Sequence, residues 1–256
     1  MNIEMIKSLL NNQNTALFRF DSVTSTNIIA KEKAPLLNNN AVFFTETQTA
    51  GRGRFGHKFI SPPETGIYMS VVLKDVLKNV LKNLQNISFL TPAAAVAVCR
   101  AVTALTARKP EIKWVNDVLI GGRKLCGILS ESAGNDAVIG IGINYTTDFS
   151  ALPELNAVSL FGNNPTCTRE ELAAFIINEL ENFKNDFKSC LKEYKALSCL
   201  TGQEISYVHN NETFFGTVIG IDDSARLLVK SKSGEITALS SGEIMLIRAV
   251  NSDSIS

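Results

Sequence analysis

The run AGRGRFGHKF at residues 50–59 carries the densest chemical signal in the chain. Gly51, Gly53 and Gly56 stand in GxGxxG spacing, with Arg52, Arg54 and Lys58 set among them. In a dinucleotide-binding fold the third glycine opens a helix whose amino terminus receives a pyrophosphate. Here the chain runs on as HKFISPPETG, and Pro62-Pro63 forbid that helix. What is left is a flexible loop whose three cations and exposed N–H groups can close over a polyanion such as a nucleoside triphosphate. Each charge-assisted phosphate contact is worth about 1.5–3 kcal/mol, and glycine lets the backbone approach phosphate oxygens without a Cβ clash. The competing reading is a solvated loop with incidental arginines.

Other groups able to do chemistry are scattered. SVTSTN supplies Ser25, Thr26 and Asn27; the pair Asn116-Asp117 precedes Lys124; and GIGIN supplies Gly140, Gly142 and Asn144. Each has an ordinary reading as well. Ser25 or Thr26 can cap the following IIAKEKA, Asn-Asp pairs are commonly turns or caps, Lys124 can be an exposed hairpin lysine, and the glycines can mark a tight strand crossing. No Ser-His-Asp or Cys-His arrangement stands out. His57 and His209 are far apart, and the five cysteines are odd in number without CxxC spacing, so neither zinc nor a disulfide framework is indicated. A reducing compartment, the cytoplasm, fits that usage.

These groups need elements to position them. AVFFTET (41–47) predicts a buried strand running into the glycine loop, and IYMSVVL (67–73) a second strand. TPAAAVAVCRAVTALTA (91–107) predicts a buried helix starting at Thr91. EIKWVND (111–117) and KLCGILSES (124–132) flank Gly121-Gly122 as a hairpin, and AVIGIGINY (137–145) predicts the next strand. From Thr168, with Glu171 in capping-box spacing, TREELAAFIINELENFKNDFKSC predicts a helix that closes the main domain. After Thr201 come short β-rich runs, EISYVH, TFFGTVIGI, RLLVKS and EIMLI, broken at Asn210-Asn211, Asp222-Asp223 and Ser233-Gly234. They predict a compact β-barrel of about 50 residues.

Length and charge agree with this division. The 256 residues suit a main domain of 1–200 and a small one of 201–256. Lys+Arg and Asp+Glu both number 25, and no basic cluster suggests a nucleic-acid tail or membrane anchor. The start MNIEMIKSLL lacks a signal peptide's pattern, and no run approaches the roughly 20 apolar residues of a membrane span.

Four motifs now stand in order: AGRGRFG after an apolar strand, KWVND at 113–117, RKLCGILSE at 123–131 and GIGIN at 140–144. Together they resemble the biotin protein ligases, and the β-rich tail with its SGEI is similar to that family's small SH3-like domain. The resemblance implies an α+β fold. Its catalytic domain is like that of class II aminoacyl-tRNA synthetases and biotin ligases, with a mixed sheet and helices, followed by a small C-terminal SH3-like β-barrel. It implies ATP-dependent biotinylation of one lysine on a biotin carboxyl carrier domain of acetyl-CoA carboxylase through biotinyl-5'-AMP, with ATP, biotin and Mg2+. Such a carboxylate–amine ligase needs no protein nucleophile, because the biotin carboxylate itself attacks the α-phosphorus. The enzyme orients two anions and absorbs developing charge.

By the same resemblance Lys124 is the central cation between the biotin carboxylate and the α-phosphate. Arg52 and Arg54 hold phosphates and order the loop, with Lys58 beside them. Trp114, Asn116, Gly142 and Asn144 belong to the adenylate end, and Asp117 to metal coordination or the acceptor lysine. Ser25, Thr26, Asn27, Gln48, Gly51 and Arg52 surround biotin's ureido head, and Gly127 and Ile128 line its tail. Three positions depart from the family. His57 replaces a basic residue, Phe59 an aromatic that is often tryptophan, and Val115 a proline. An imidazole is mostly neutral above about pH 6.5, so His57 makes the phosphate grip weaker or pH-dependent.

Other functions compete. Lipoate ligases and octanoyltransferases share the fold, but the arginine pair and the KWVND-to-RKLCGIL spacing favour biotin. Some biotin ligases repress transcription through an amino-terminal winged helix-turn-helix, which the short stretch before the first strand cannot build, so no operator binding is expected. A non-catalytic biotin-binding module with a vestigial loop is the third alternative. Monomer and homodimer both occur in the family, and that choice stays open.

Overall fold

The structure, a computed structural model, describes residues 1–78, 87–184, 186–209, 212–242 and 244–246. Two compact units divide the chain, Met1–Leu197 and Ser198–Ser256.

The larger unit is built on a seven-stranded mixed sheet. Its strands are β1 (Ala16–Val23), β2 (Ala41–Gln48), β3 (Gly66–Leu73), β4 (Glu111–Lys113), β5 (Asp117–Ile120), β6 (Arg123–Ala133) and β7 (Asp136–Asn144), in the order β1-β2-β3-β7-β6-β5-β4. Only β1 and β2 run parallel; every other neighbouring pair is antiparallel. Among the described residues five α-helices accompany them: α1 (Ile3–Leu9), α2 (Thr26–Lys33), α3 (Ile87–Leu105), α4 (Arg169–Phe183) and α5 (Leu191–Ala196).

Period-2 alternation gives the central strands two different faces. Ile139, Ile141 and Ile143 of β7 and Met69 and Val71 of β3 are buried on one side, where the alanine-rich α3 packs. By length and composition α3 could cross a membrane, but two thirds of Ser88–Leu105 (67%) is buried inside the protein. The opposite side receives α2, whose Ala30, with Ala34, packs on Ala41, Phe43, Val72 and Val138.

Three expectations are corrected locally. Thr91 does not start α3; the described helix already runs at Ile87 and contains Pro92, and the Thr91 hydroxyl bonds Ser130 Oγ at 3.0 Å instead of capping. EIKWVND is not one strand. Trp114 is drawn into the core and the chain turns back at 114–116, so that β4 pairs with β5, while β5 and β6 form the hairpin over Gly121-Gly122. The Tyr194 hydroxyl donates to the Val115 carbonyl at 3.0 Å and satisfies that turn. The helix from Thr168 has its capping box with Glu171 but stops at Phe183. Buried Phe187 and Cys190 then return the chain to the core through a 3-10 turn and α5.

The smaller unit is an antiparallel sheet of β8 (Glu204–His209), β9 (Glu212–Ile221), β10 (Leu227–Lys230), β11 (Ile236–Leu239) and β12 (Ile244–Leu246), ordered β11-β10-β9-β8-β12. Among the described residues β11 and β12 are edges that do not pair with each other, so the expected barrel is not closed, and the sheet is compatible with it. The turn expected at Asn210-Asn211 lies outside the described residues, as does Glu243 of SGEI.

Candidate active site

The site lies on the α2 side of the large sheet, where β7 presents Gly140 and Gly142 and the neighbouring β6 presents Gly127. Gly142 of β7 faces Tyr68 on β3 and Gly127 on β6, and Gly140 faces Ser70 and Leu129. GIGIN thus puts isoleucines into the α3 core and glycines onto a trough covered by Asn27 and the Phe59 ring. The trough is needed at this spacing. A Cβ on Gly140 would stand 2.2 Å from Asn27 Oδ1, and one on Gly142 2.6 Å from the Phe59 ring.

One end of the trough is a buried polar cluster at the start of α2. Ser25, Thr26 and Asn27 are at most 4% exposed. Ser25 occupies the N-cap position but makes no side-chain cap bond, so its hydroxyl does not serve the helix. Gln48, at the end of β2, accepts from the Thr26 N–H through Oε1 at 3.0 Å and donates through Nε2 to Ser61 Oγ at 2.9 Å. Asn27 Nδ2 donates to the Leu129 carbonyl (3.0 Å) and to Glu131 Oε2 (2.9 Å), and Lys31 bridges Glu131 at 2.8 Å. Burial pushes the Glu131 carboxyl up, but the bonds from Lys31 and Asn27 together outweigh it and its pKa ends lowered.

The glycine-arginine loop folds as a small hairpin. Arg52 and Lys58 form an antiparallel bridge, the Gly53 N–H donates to the His57 carbonyl (2.7 Å), and the Phe59 N–H to the Gly51 carbonyl (3.0 Å). Its tip needs left-handed backbone, at Phe55 (φ 53°) and Gly56 (φ 81°). Gly51 is obligatory, since a Cβ would lie 2.3 Å from the Phe59 carbonyl oxygen. Arg52, His57 and Lys58 are exposed, whereas Phe59 folds its ring back over Gly142 and Gly127.

The other end holds the cations. Lys124 Nζ lies 2.8 Å from Asp117 Oδ1, which also accepts from Asn116 Nδ2 at 3.0 Å. Arg54 Nη1 reaches Asn116 Oδ1 at 3.4 Å. Burial lowers the Arg54 pKa, and the charge of Asp117 offsets part of that. The backbone of Lys124 is clamped as well: its N–H donates to Asn156, its carbonyl accepts from Val158 N, and Asn144 Nδ2 donates to the same carbonyl at 3.2 Å. Cys126 next door is no nucleophile, because complete burial pushes its thiol well above the ordinary value.

The structure therefore gathers Arg54, Asn116, Asp117, Lys124 and Asn144 at one end and Ser25, Thr26, Asn27 and Gln48 at the other. Gly51, Gly127 and Gly142 lie between them. Ile128 is buried, with its N–H bonded to the Asn116 carbonyl at 3.0 Å, and Trp114 is 4% exposed, a core residue beneath the turn rather than an open platform. Sequence reasoning missed Ser70 and Glu131 and noted Phe59 only as a departure. A lone serine inside the apolar run IYMSVVL was the available signal for Ser70. Glu131 carried none. Glycine backbone with hydrogen-bonding groups at one end and cations at the other suits an elongated acid whose carboxylate is put beside an anionic co-substrate.

Comparison with known proteins agrees. Residues 17–148 match the biotin/lipoate A/B protein ligase family, and residues 201–246 the biotin protein ligase C-terminal domain. The chain is 30% identical over 237 residues to the bifunctional ligase/repressor BirA of Bacillus subtilis, covering 85% of this chain and 70% of that one. It is also 30% identical over 234 residues to a biotin–acetyl-CoA-carboxylase ligase of Mycobacterium tuberculosis, covering 88% and 86%. Among solved structures, the biotin protein ligase of Aquifex aeolicus in complex with biotin and ATP superposes with a TM-score of 0.75 at 25% identity, covering 91% and 99%.

Proposed function

The chain belongs to the biotin/lipoate A/B protein ligase family, and on that premise we propose that it is a biotin protein ligase acting through biotinyl-5'-AMP on a lysine of a biotin carboxyl carrier protein. One observation carries the reading for this chain's own residues: a glycine trough joins a buried hydrogen-bonding cluster at Thr26, Asn27 and Gln48 to a cationic end at Lys124 and Arg54. Biotin has a polar ureido ring, an apolar tail and a terminal carboxylate in that order. A dithiolane ring offers nothing to the polar cluster, which favours biotin over lipoate.

The mechanism follows from placement. The ureido ring binds at Ser25, Thr26, Asn27 and Gln48, and the tail runs over Gly127 and Gly142. The carboxylate arrives beside Lys124. With its charge reduced by the Lys124 ammonium, the carboxylate attacks the α-phosphorus of ATP, the bond to pyrophosphate breaks, and a mixed anhydride forms. Arg52, Arg54 and Lys58 receive phosphate charge as the loop closes. The acceptor lysine amine then attacks the acyl carbon; an amide forms and AMP leaves. Asp117 is placed near enough to Lys124 to take the proton released. The usual carrier is the biotin domain of acetyl-CoA carboxylase.

Among the described residues no group of three or more His, Cys, Asp or Glu gathers as a metal site. A magnesium ion would be held mainly by the triphosphate, with Asp117 as the protein carboxylate, and would supply charge neutralisation on the phosphates. The test is pyrophosphate release by the purified chain. Release that requires both ATP and biotin, and is not supported by lipoate, agrees with the proposal. Release with neither acid contradicts it.

A further inference from the structure

Ser70 is the only serine or threonine of β3, is fully buried, and touches no residue of the cationic end. Its Oγ lies 2.7 Å from Thr26 Oγ1 and 2.6 Å from Asn27 Oδ1. A hydroxyl has one proton, so it can donate to only one of the two. The choice is dictated from further along.

Asn27 Nδ2 faces two groups that only accept, the Leu129 carbonyl at 3.0 Å and the Glu131 carboxylate at 2.9 Å. That fixes the amide, because a flipped Asn27 would set its oxygen against both. Asn27 Oδ1 therefore faces Ser70 as an acceptor without a proton of its own. At 2.6 Å the Ser70 proton must lie on that line. Ser70 Oγ is then an acceptor toward Thr26, so the Thr26 hydroxyl spends its proton on Ser70 at 2.7 Å rather than on Gln48 Oε1 at 3.4 Å. Thr26 Oγ1 keeps only lone pairs for any further partner.

We infer that Ser70 is a positioning residue in a proton-ordered chain, Glu131 to Asn27 to Ser70 to Thr26, that makes Thr26 Oγ1 an acceptor only and so selects a ring presenting an N–H. This rests on the biotin-ligase reading above and deepens it. The ligand class is a cyclic urea, whose N–H donates to Thr26. A ring lacking N–H groups leaves that lone pair unsatisfied, which is how buried polar groups reject a near-isostere.

The chain of bonds has a signature that simple packing lacks. Among the described residues the Ser70 hydroxyl bonds only Thr26 and Asn27, so its loss raises the KM for biotin and leaves kcat and the KM for ATP nearly unchanged, whereas Glu131 also feels the charge of Arg52 and is read through the biotin KM alone. Ser70→Ala frees the Thr26 proton to rotate, with an expected rise in biotin KM of about tenfold, equivalent to one hydrogen bond. Glu131→Ala removes one of the two acceptors that hold the Asn27 amide, the Leu129 carbonyl being the other, and has a smaller effect in the same direction. Glu131→Gln rescues it, because the glutamine amide oxygen still accepts from Asn27 Nδ2.

The experiment is steady-state pyrophosphate release by the full chain and these three variants, with thermal melts to establish folding. A folded Ser70→Ala with wild-type biotin KM overturns the inference. Should Ser70→Ala fail to fold, the Glu131 pair decides: impairment in Glu131→Ala and rescue in Glu131→Gln support it, and equal behaviour of the two overturns it. The functional reading fails separately, by a wild-type chain that releases no pyrophosphate with biotin. In that event calorimetric titration of biotin into the same variants settles the chain of bonds, and absence of binding to wild type overturns it too.

Discussion

Lys124 Nζ sits 2.8 Å from Asp117 Oδ1, so the cation expected to meet two anionic substrates is already paired with a carboxylate. The pair is partly open, with side chains 36% and 22% exposed. At such exposure an ion pair contributes little to stability, about 0–1 kcal/mol. Its chemical value is larger. In the proposed mechanism an ammonium held in place needs no reorganisation when the carboxylate and phosphate arrive, and the same carboxylate takes the proton that the acceptor amine loses.

Lys124→Ala should therefore separate fold from chemistry. Adenylate formation is expected to drop by about 100-fold or more, the scale of losing a preorganised charge stabiliser. The melting temperature should stay within a few degrees of wild type. Single-turnover formation of biotinyl-adenylate, alongside a thermal melt, measures both; a variant that keeps the wild-type rate contradicts the role of Lys124.

Arg54 is tied to Asn116 at 3.4 Å, which links the glycine loop to the turn before β5. Arg54→Ala is expected to weaken loop closure more than chemistry. Adenylate should escape into solution about tenfold faster, since one charge-assisted contact is worth at least 1.4 kcal/mol, roughly a factor of ten. Rapid filtration of enzyme preloaded with labelled biotin and ATP gives the escape rate, and an unchanged rate removes Arg54 from that role.

The Phe59 ring lies on Gly142 and Gly127, where the tail of the ligand is to run. Gly142→Ala places a methyl 2.6 Å from that ring, which must shift. Overpacking of this kind costs about 1–3 kcal/mol. The variant should lose stability and show a raised biotin KM together, and Phe59→Ala in the same chain should restore most of the stability. Denaturant melts of the two single variants and the double variant test the coupling.

Acid sensitivity should trace to Glu46. Burial pushes this carboxyl up, but the Met1 ammonium and the Arg169 guanidinium, 2.8 Å away, together bring it from 4.5 down to about 2. A carboxyl depressed in the folded state contributes stability above its unfolded pKa and loses that contribution as pH falls through the folded one. The loss should run between about pH 4.5 and 2. Glu46→Gln is expected to be less stable than wild type at neutral pH and to have a flatter acid limb over that window, as pH-dependent melts would show.

Strand alternation made much of the large sheet readable. GIGIN and IYMSVVL each had to put one face into a core, and they do, with Ile139, Ile141 and Ile143 on the α3 side. The glycines' purpose was less visible, because room for Asn27 and the Phe59 ring against the sheet is seen only once Gly140, Gly142 and Gly127 stand side by side on neighbouring strands. Lys124 meets Asp117 across the β5–β6 hairpin, but Arg54 meets Asn116 from 62 residues away, so motif order suggested neighbours but not bonds. The turn at Trp114 defeated local pattern. A buried tryptophan and the Tyr194 hydroxyl, 79 residues on, override the strand propensity of EIKWV. Thr91 likewise read as the start of the helix, although tertiary packing of Phe89 and Leu90 extends α3 ahead of it.

Mass spectrometry of an isolated biotin carboxyl carrier domain, incubated with the purified chain, ATP, magnesium and biotin, tests the central claim most directly. The mass of one biotin joined through one amide to a single lysine is the predicted result, lost when ATP is omitted. An unmodified carrier, or one that gains a lipoyl group when lipoate replaces biotin, would contradict it.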